Sequence, residues 1–485
     1  MRPIVNVGNV YQDSVVEAGD ATFFLTQIEG VKQLGVRGDG SGFTGGRSAP
    51  ENTSLYPLTP DNCAVLRTRL SWLRPQPLGL QTSAGFGDRL GLATPGHVHA
   101  LRAVLTETTT SSSIAPIFAQ QSVRENARTH RTPQQVIDDA AWGLFETGWR
   151  EAWGADADHL KTNADADSFA AAGYTFYTVD PGDHVDNAAH TADMETLRIK
   201  LQALDWEALQ DTPDDLLTRY LSQEFAVEGF TISFDELSLL RAACKYSPAV
   251  LHAARMYHHL RHVLGARPFE LEVSVDETET PTSPREHLFI ANELMRLDVR
   301  WVSLAPRYIG RFEKGVDYIG DLAEFEAALA QHAAIARTMG PYKLSIHSGS
   351  DKFSIYPIIA QHTRGLVHLK TAGTSYLEAL RAIATINPLL FREIWNFARG
   401  RYEKDRTTYH VSGELDRTSA SSEIEDTGLP ELLEQFDARQ VLHVTFGSAL
   451  DEFGEHIREA LSSNETVHYA AVKQHFVKHL TPFLR

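Results

Sequence analysis

The chain has 485 residues, 42% of them hydrophobic and 22% charged, and a formal net charge of −18. That size excludes a small module, and an acidic surface repels phosphate backbones, so no nucleic-acid partner is expected. The two cysteines, Cys63 and Cys244, lie far apart and support no disulfide framework. No apolar run approaches the ~18 residues that span a bilayer, so no membrane partner is expected either.

In chain order, residues 1–75 read as an N-terminal α/β cap, with ATFFLTQIEG and CAVLRTRLSWL as its apolar segments. The opening residues lack the apolar core of a secretory leader, which makes a reducing cytoplasm the expected compartment. Eight strand-like runs follow, each ending in polar or glycine-rich residues. They are 79–89, 114–125, 153–161, 174–184, 269–279, 300–310, 342–352 and 366–375. A polar loop, TETTTSSS, lies at 106–113. Helix-like sequence separates most of the runs, most clearly at 321–339 and 375–386, where apolar residues recur at helical spacing. Strands alternating with helices predict an α/β fold, a (β/α)8 TIM-like barrel over 76–384, ahead of a doubly wound sheet. Residues 185–268 read as a helical insertion ending in a helix pair, and 385–485 as a C-terminal helical extension.

Several strands carry polar residues on the face that should point into the barrel. Side chains alternate along a strand. With Leu271, Val273 and Val275 toward the helices, Glu272, Ser274 and Asp276 point inward. By the same alternation Lys343, Ser345 and His347 point inward from the seventh run, and His368 and Lys370 from the eighth. The third run adds Asp156, Asp158 and His159, the fourth Asp180, Asp183 and His184, and the stretch after the sixth Arg307, Arg311 and Glu313. Barrel interiors are normally apolar, and buried ions must pair, bind a metal or line a cavity. His, Asp and Glu gathered at strand ends suit a divalent cation acting as a Lewis acid. On pattern alone Glu272 could equally form an ion pair with Lys343 or Lys370. Lys370 at a strand end could also serve as the amine of a Schiff-base aldolase. A non-catalytic small-molecule binding protein would use the same residue types.

The motifs GADADHLK, EVSVDETETPTSP, HSGSDKFSIYP and HLKTAGTSYLEA, with PIFAQQSVREN and GFGDRLGLATP upstream, occur in this order. Together they resemble the tagaturonate epimerase family across about Ser83 to Gly447. The resemblance implies a divalent-metal enzyme that interconverts D-tagaturonate and D-fructuronate, a small-molecule keto-uronate pair, in bacterial hexuronate catabolism. It implies a proton acceptor at Asp158, a proton donor at Glu272 and metal ligation at His159 and His347. A further ligand is expected after the sixth strand, where Glu313 is chosen. Lys343, Arg307, Lys370 and His368 are the candidates for binding substrate. The inverted carbon lies β to the ketone, so direct enolisation does not acidify its C–H. No dinucleotide fingerprint supports transient oxidation, which leaves retro-aldol cleavage and re-addition.

Overall fold

The computed structural model describes residues 7–107 and 113–484; residues 108–112 of the expected polar loop and the first six residues read for a leader lie outside them. Eight parallel strands close into a barrel, each inside one of the eight runs. In chain order they are Ser83–Phe86, Ala115–Ser122, Gly154–Leu160, Phe176–Val179, Glu270–Ser274, Ser303–Ala305, Lys343–Ile346 and Val367–Thr371. They are called strands one to eight below. Strand eight pairs with strand one (Lys370 opposite Gly85), and strand four pairs with strand five (Thr178 opposite Glu272). The helix-facing rows, such as Leu271 with Val273 and Leu344 with Ile346, are buried in the main core.

The turn from strand two to its helix uses side chains that also reach the barrel mouth. Ser122 ends strand two and caps the helix Val123–Thr129. Its hydroxyl accepts from the Glu125 N–H, and Glu125 accepts in return from the Ser122 backbone. This reciprocal cap satisfies two orphan donors and holds Glu125 at the mouth. Asp88 does similar work after strand one, accepting from the N–H groups of Leu90, Gly91 and Ala93 ahead of the helix Thr94–Glu107.

The N-terminal segment is a five-stranded antiparallel sheet with one helix, Pro60–Arg69, following it. The insertion between strands four and five differs from the expected helix pair. Glu236–Leu264 is one continuous helix that runs through Pro248. A proline within a helix removes one N–H donor and crowds the preceding turn. The Lys245 carbonyl in that turn accepts from the Asp186 N–H, which ties the helix to the preceding segment, and burial of the helix's apolar face carries the element across the defect. The insertion also holds a short antiparallel hairpin, Glu224–Val227 with Phe230–Ser233.

After strand eight, Thr374–Ile386 starts a second core. Leu377, Leu380 and Ile383 pack there with Phe391, Trp395 and Leu442 from the C-terminal helices. The last helix, Glu465–Leu480, turns back onto the barrel: Phe476 packs on Phe86 of strand one, with ring centroids 5.3 Å apart. Its start meets the N-terminal sheet, where Lys32 bridges Glu146 (2.5 Å) and Glu465 (2.6 Å). No described helix is long and apolar enough to cross a membrane. Both cysteines are buried and free.

This packing fixes several imidazoles in their neutral form. Burial, the largest influence on each, pushes His97 and His479 down to about 3, and His332 and His468 down to about 4. The unfolded chain takes up these protons near the ordinary histidine value of ~6.5, so it binds more protons than the folded chain below that pH. Their contribution is therefore complete above ~6.5 and is lost as pH falls toward 4, at up to ~1.4 kcal/mol per histidine per pH unit. Melting temperature is expected to drop steeply between pH 6.5 and 4.5; a flat profile there would contradict the neutral burial of these rings.

Candidate active site

The C-terminal ends of the strands enclose a small polar pocket of about 40 Å3 that adjoins an outer cavity of about 430 Å3. Lys370, from strand eight, sits at its centre, buried. Its ammonium donates to Asp158 Oδ1 at 2.6 Å and lies 2.9 Å from Glu272 Oε1 and 3.0 Å from Asp156 Oδ2. Gln120 donates to the other Asp158 oxygen at 3.0 Å. Burial alone raises carboxyl pKa values, but the Lys370 ammonium outweighs it. With the histidines it holds Asp158 and Glu272 below the usual carboxylate range. The same three carboxylates hold the buried Lys370 well above the ordinary lysine value. One oxygen of Glu272, Oε2, is buried and has no hydrogen-bond partner among the described residues.

Asp158 and His159 are adjacent, and in a regular strand their side chains would face opposite ways. Strand three carries a register shift between Ala157 and Leu160, and His159 adopts φ +54°. An irregularity of this kind re-aims a side chain, and here both residues reach the mouth. His159 Nδ1 is engaged by Asp180 at 3.3 Å, which fixes the ring and leaves Nε2 facing Asp158 at 3.9 Å. His347 lies beside it, with ring centroids 4.9 Å apart. Its Nε2 is 2.7 Å from Glu272 Oε1 and its Nδ1 is 3.2 Å from Asp276 Oδ1.

His159, Asp276 and His347 each offer a ligand atom, and these atoms lie within 4.8 Å of one another. Two imidazoles and a carboxylate suit a divalent first-row metal. Glu272 with its unpartnered oxygen borders the group. Burial lowers the two imidazoles, but Asp158 raises His159 to about 9 and Asp276 raises His347 to about 10. These rings therefore hold protons where a cation fits.

Not every expected site residue joins this centre. Glu272, His347 and Lys370 converge as the alternation predicts, and the irregularity in strand three brings Asp158 and His159 to them together. Glu313 does not join the ligand group. Its Oε2 accepts from the backbone and hydroxyl of Ser412 at 2.8 and 2.7 Å and from Gln440 at 2.8 Å, which ties the loop after strand six to the C-terminal extension. Asp276 stands in the third position instead. It follows Glu272 by four residues, so the same two-residue period carries it inward one step nearer the mouth. Lys343 and His368 point inward but sit deeper. Both bond Ser83 Oγ, at 3.0 and 2.9 Å, beneath Lys370, and neither lines the pocket. Arg307 lines only the outer cavity, where its guanidinium donates to the Thr278 carbonyl.

A second group, Asp351 with His475 and His479, has ligand-type atoms equally close together. Its atoms are already satisfied. His479 Nε2 accepts from the Asp351 N–H at 2.9 Å, while His475 and Arg439 engage Asp351 Oδ1 at 2.6 and 2.9 Å. It is a clasp between the last helix and the turn after strand seven.

Against this geometry, residues 11–483 match the family model for tagaturonate epimerase, UxaE. A tagaturonate/fructuronate epimerase of Thermotoga maritima is 43% identical, over 97% of this chain and 96% of that protein. Among solved structures, the fructuronate-tagaturonate epimerase UxaE of Cohnella laeviribosi with one glycerol bound is similar at TM-score 0.91. It is 38% identical, and the match covers 98% of this chain and 96% of that one. Its native form matches at the same TM-score and 37% identity, covering 99% and 97%.

Proposed function

The chain belongs to the tagaturonate epimerase family and is an epimerase, and on that premise we propose that it interconverts D-tagaturonate and D-fructuronate by retro-aldol chemistry at a divalent-metal centre. One observation carries the reading: two ionised carboxylates, Asp158 and Glu272, share one lysine at the edge of a two-histidine, one-carboxylate ligand group. His159, Asp276 and His347 would hold the cation. When bound, it supplies Lewis-acid stabilisation of the oxyanion that develops on substrate. The carboxylates Asp158, Glu272 and Asp276, with Asp156 and Asp180 behind them, face Lys370 and the protons on His159 and His347. Replacing those protons by one divalent ion leaves the net charge unchanged, and such binding releases protons in general.

The chain's own residues account for the proton traffic. Asp158, kept ionised by Lys370, accepts the proton of the C3 hydroxyl, counting from the carboxylate. The C3–C4 bond then breaks, its electron pair passing to the C5 ketone oxygen. This leaves a three-carbon aldehyde acid and the enediolate of a three-carbon ketone. The aldehyde rotates, C4 re-adds to its other face, and the new C3 alkoxide takes a proton from the Glu272 side. Glu272 rests ionised as well, so the proton it returns must first reach it. Lys370, in contact with both carboxylates, is the path.

The same contacts disfavour Schiff-base chemistry at Lys370. Three carboxylates keep its ammonium protonated, whereas a nucleophilic lysine needs a depressed pKa. The experiment that tests the proposal is epimerisation of D-tagaturonate in D2O, with metal analysis of the same sample. Retro-aldol chemistry carries the C3 hydrogen on the aldehyde, so the product should contain no deuterium at C3. Deuterium at C3 would overturn the route, and activity in a metal-free sample would overturn the metal centre.

A further inference from the structure

The walls of the two cavities gather cations on a protein of net charge −18: Arg89, Arg124, Arg307, Arg311 and Lys314 stand there among carboxylates. Most of these cations have acidic partners. Arg89 is held by Glu125 at 2.7 Å, Arg311 by Glu313 at 3.3 Å and Arg124 by Glu277 at 3.5 Å. Lys314 differs. Its ammonium donates to Ser348 Oγ at 2.7 Å, and among the described residues no carboxylate lies within ion-pair distance. An ammonium drawn away from water without a counter-ion is costly. Burial first, and then Arg124, lowers the pKa of Lys314, while Glu125, Glu277 and Asp276, beyond ion-pair distance, raise it in part. The protein nevertheless fixes it in place. Lys352, fully buried, donates to the carbonyls of Glu313 (2.8 Å), Val316 and Ser350 (3.1 Å), which clamps the loop on both sides of Lys314.

The position of Lys314 relates it to the reaction centre. Ser348 directly follows His347 and adopts φ +48°, a conformation that non-glycine residues rarely hold without a local reason. Lys314 lines both the inner pocket and the outer cavity, while Arg307 lines only the outer one. We propose that Lys314 is the anchor for the substrate carboxylate, holding the acid end of the sugar chain beside the His159, Asp276 and His347 group and thereby selecting sugar acids over neutral ketoses. This rests on the proposed epimerase reaction. Ser348 orients the ammonium, and the bound carboxylate supplies the counter-ion that the fold omits.

The test compares steady-state kinetics on D-tagaturonate for the wild type and for Lys314→Gln, Lys314→Met and Lys314→Arg, with Arg307→Gln alongside. Wild-type turnover is measured first, so a failure of the epimerase reading shows before any variant is made. Losing one member of a desolvated charge pair should raise KM about 100-fold in Lys314→Gln and Lys314→Met, with kcat within about fivefold. Lys314→Arg should recover most of the affinity, and Arg307→Gln should change KM less than either. Melting temperature and metal content of the variants identify any misfolding, and two neutral replacements guard against an idiosyncratic one. A KM within threefold of wild type in both neutral variants would sink the proposal. So would a loss confined to kcat, or failure of the arginine to restore binding.

Discussion

Asp158→Asn is expected to lower kcat on D-tagaturonate by about a thousandfold while KM changes only a few-fold, the range a positioned general base contributes. The amide keeps the volume and the Gln120 and Lys370 neighbours of the carboxylate, but it has no basic oxygen to take the C3 hydroxyl proton. Glu272→Gln should lose a comparable factor, because the proton accepted on one face must be returned on the other. The two losses should not multiply in the double variant, since Lys370 links the groups into one relay. Single-turnover kinetics on each variant would check this. A kcat within tenfold of wild type for Asp158→Asn would remove it from the chemistry and leave it a mere counter-ion for Lys370.

The second large effect separates two acids that the sequence treats alike. Asp276→Asn should weaken binding of a divalent ion at least a hundredfold, about 2.8 kcal/mol, because one of three converging ligand atoms is lost. Activity should then return in part at high metal concentration. Glu313→Gln should keep both metal and turnover. Its cost falls on stability, about 1–3 kcal/mol, through the hydrogen bonds to Ser412 and Gln440. Metal titration and thermal melting on both variants decide the matter. Loss of metal from Glu313→Gln, with Asp276→Asn unaffected, would reverse the assignment.

Strands could be read from the sequence because their periodicity is local. Every barrel strand falls inside an apolar run with a polar end, and alternation placed Glu272, Asp276, His347 and Lys370 inside the ring. It could not rank them by depth. Lys343 and His368 share the inward face with His347 and Lys370 but sit two to four residues nearer the strand start, where Ser83 satisfies them. Loops defeat this kind of reading, since no period governs where Glu313 and Lys314 point. One turns to the C-terminal extension and its neighbour to the pocket. The single helix across Pro248 also escaped, because tertiary burial overrode the local penalty of proline. His159 was assigned through resemblance. Alternation alone would have turned it away from Asp158, and only the bulge in strand three brings both to one place.

The clasp on Asp351 bears on when the protein becomes competent during synthesis. This carboxylate lies four residues beyond His347, and its partners Arg439 and His475 arrive more than eighty residues later. A nascent chain emerging from the ribosome can therefore close its ring of strands well before the turn after strand seven has its full set of partners. The catalytic mouth should mature last, when the final helix docks, so that an incomplete polypeptide carries a barrel without a working centre.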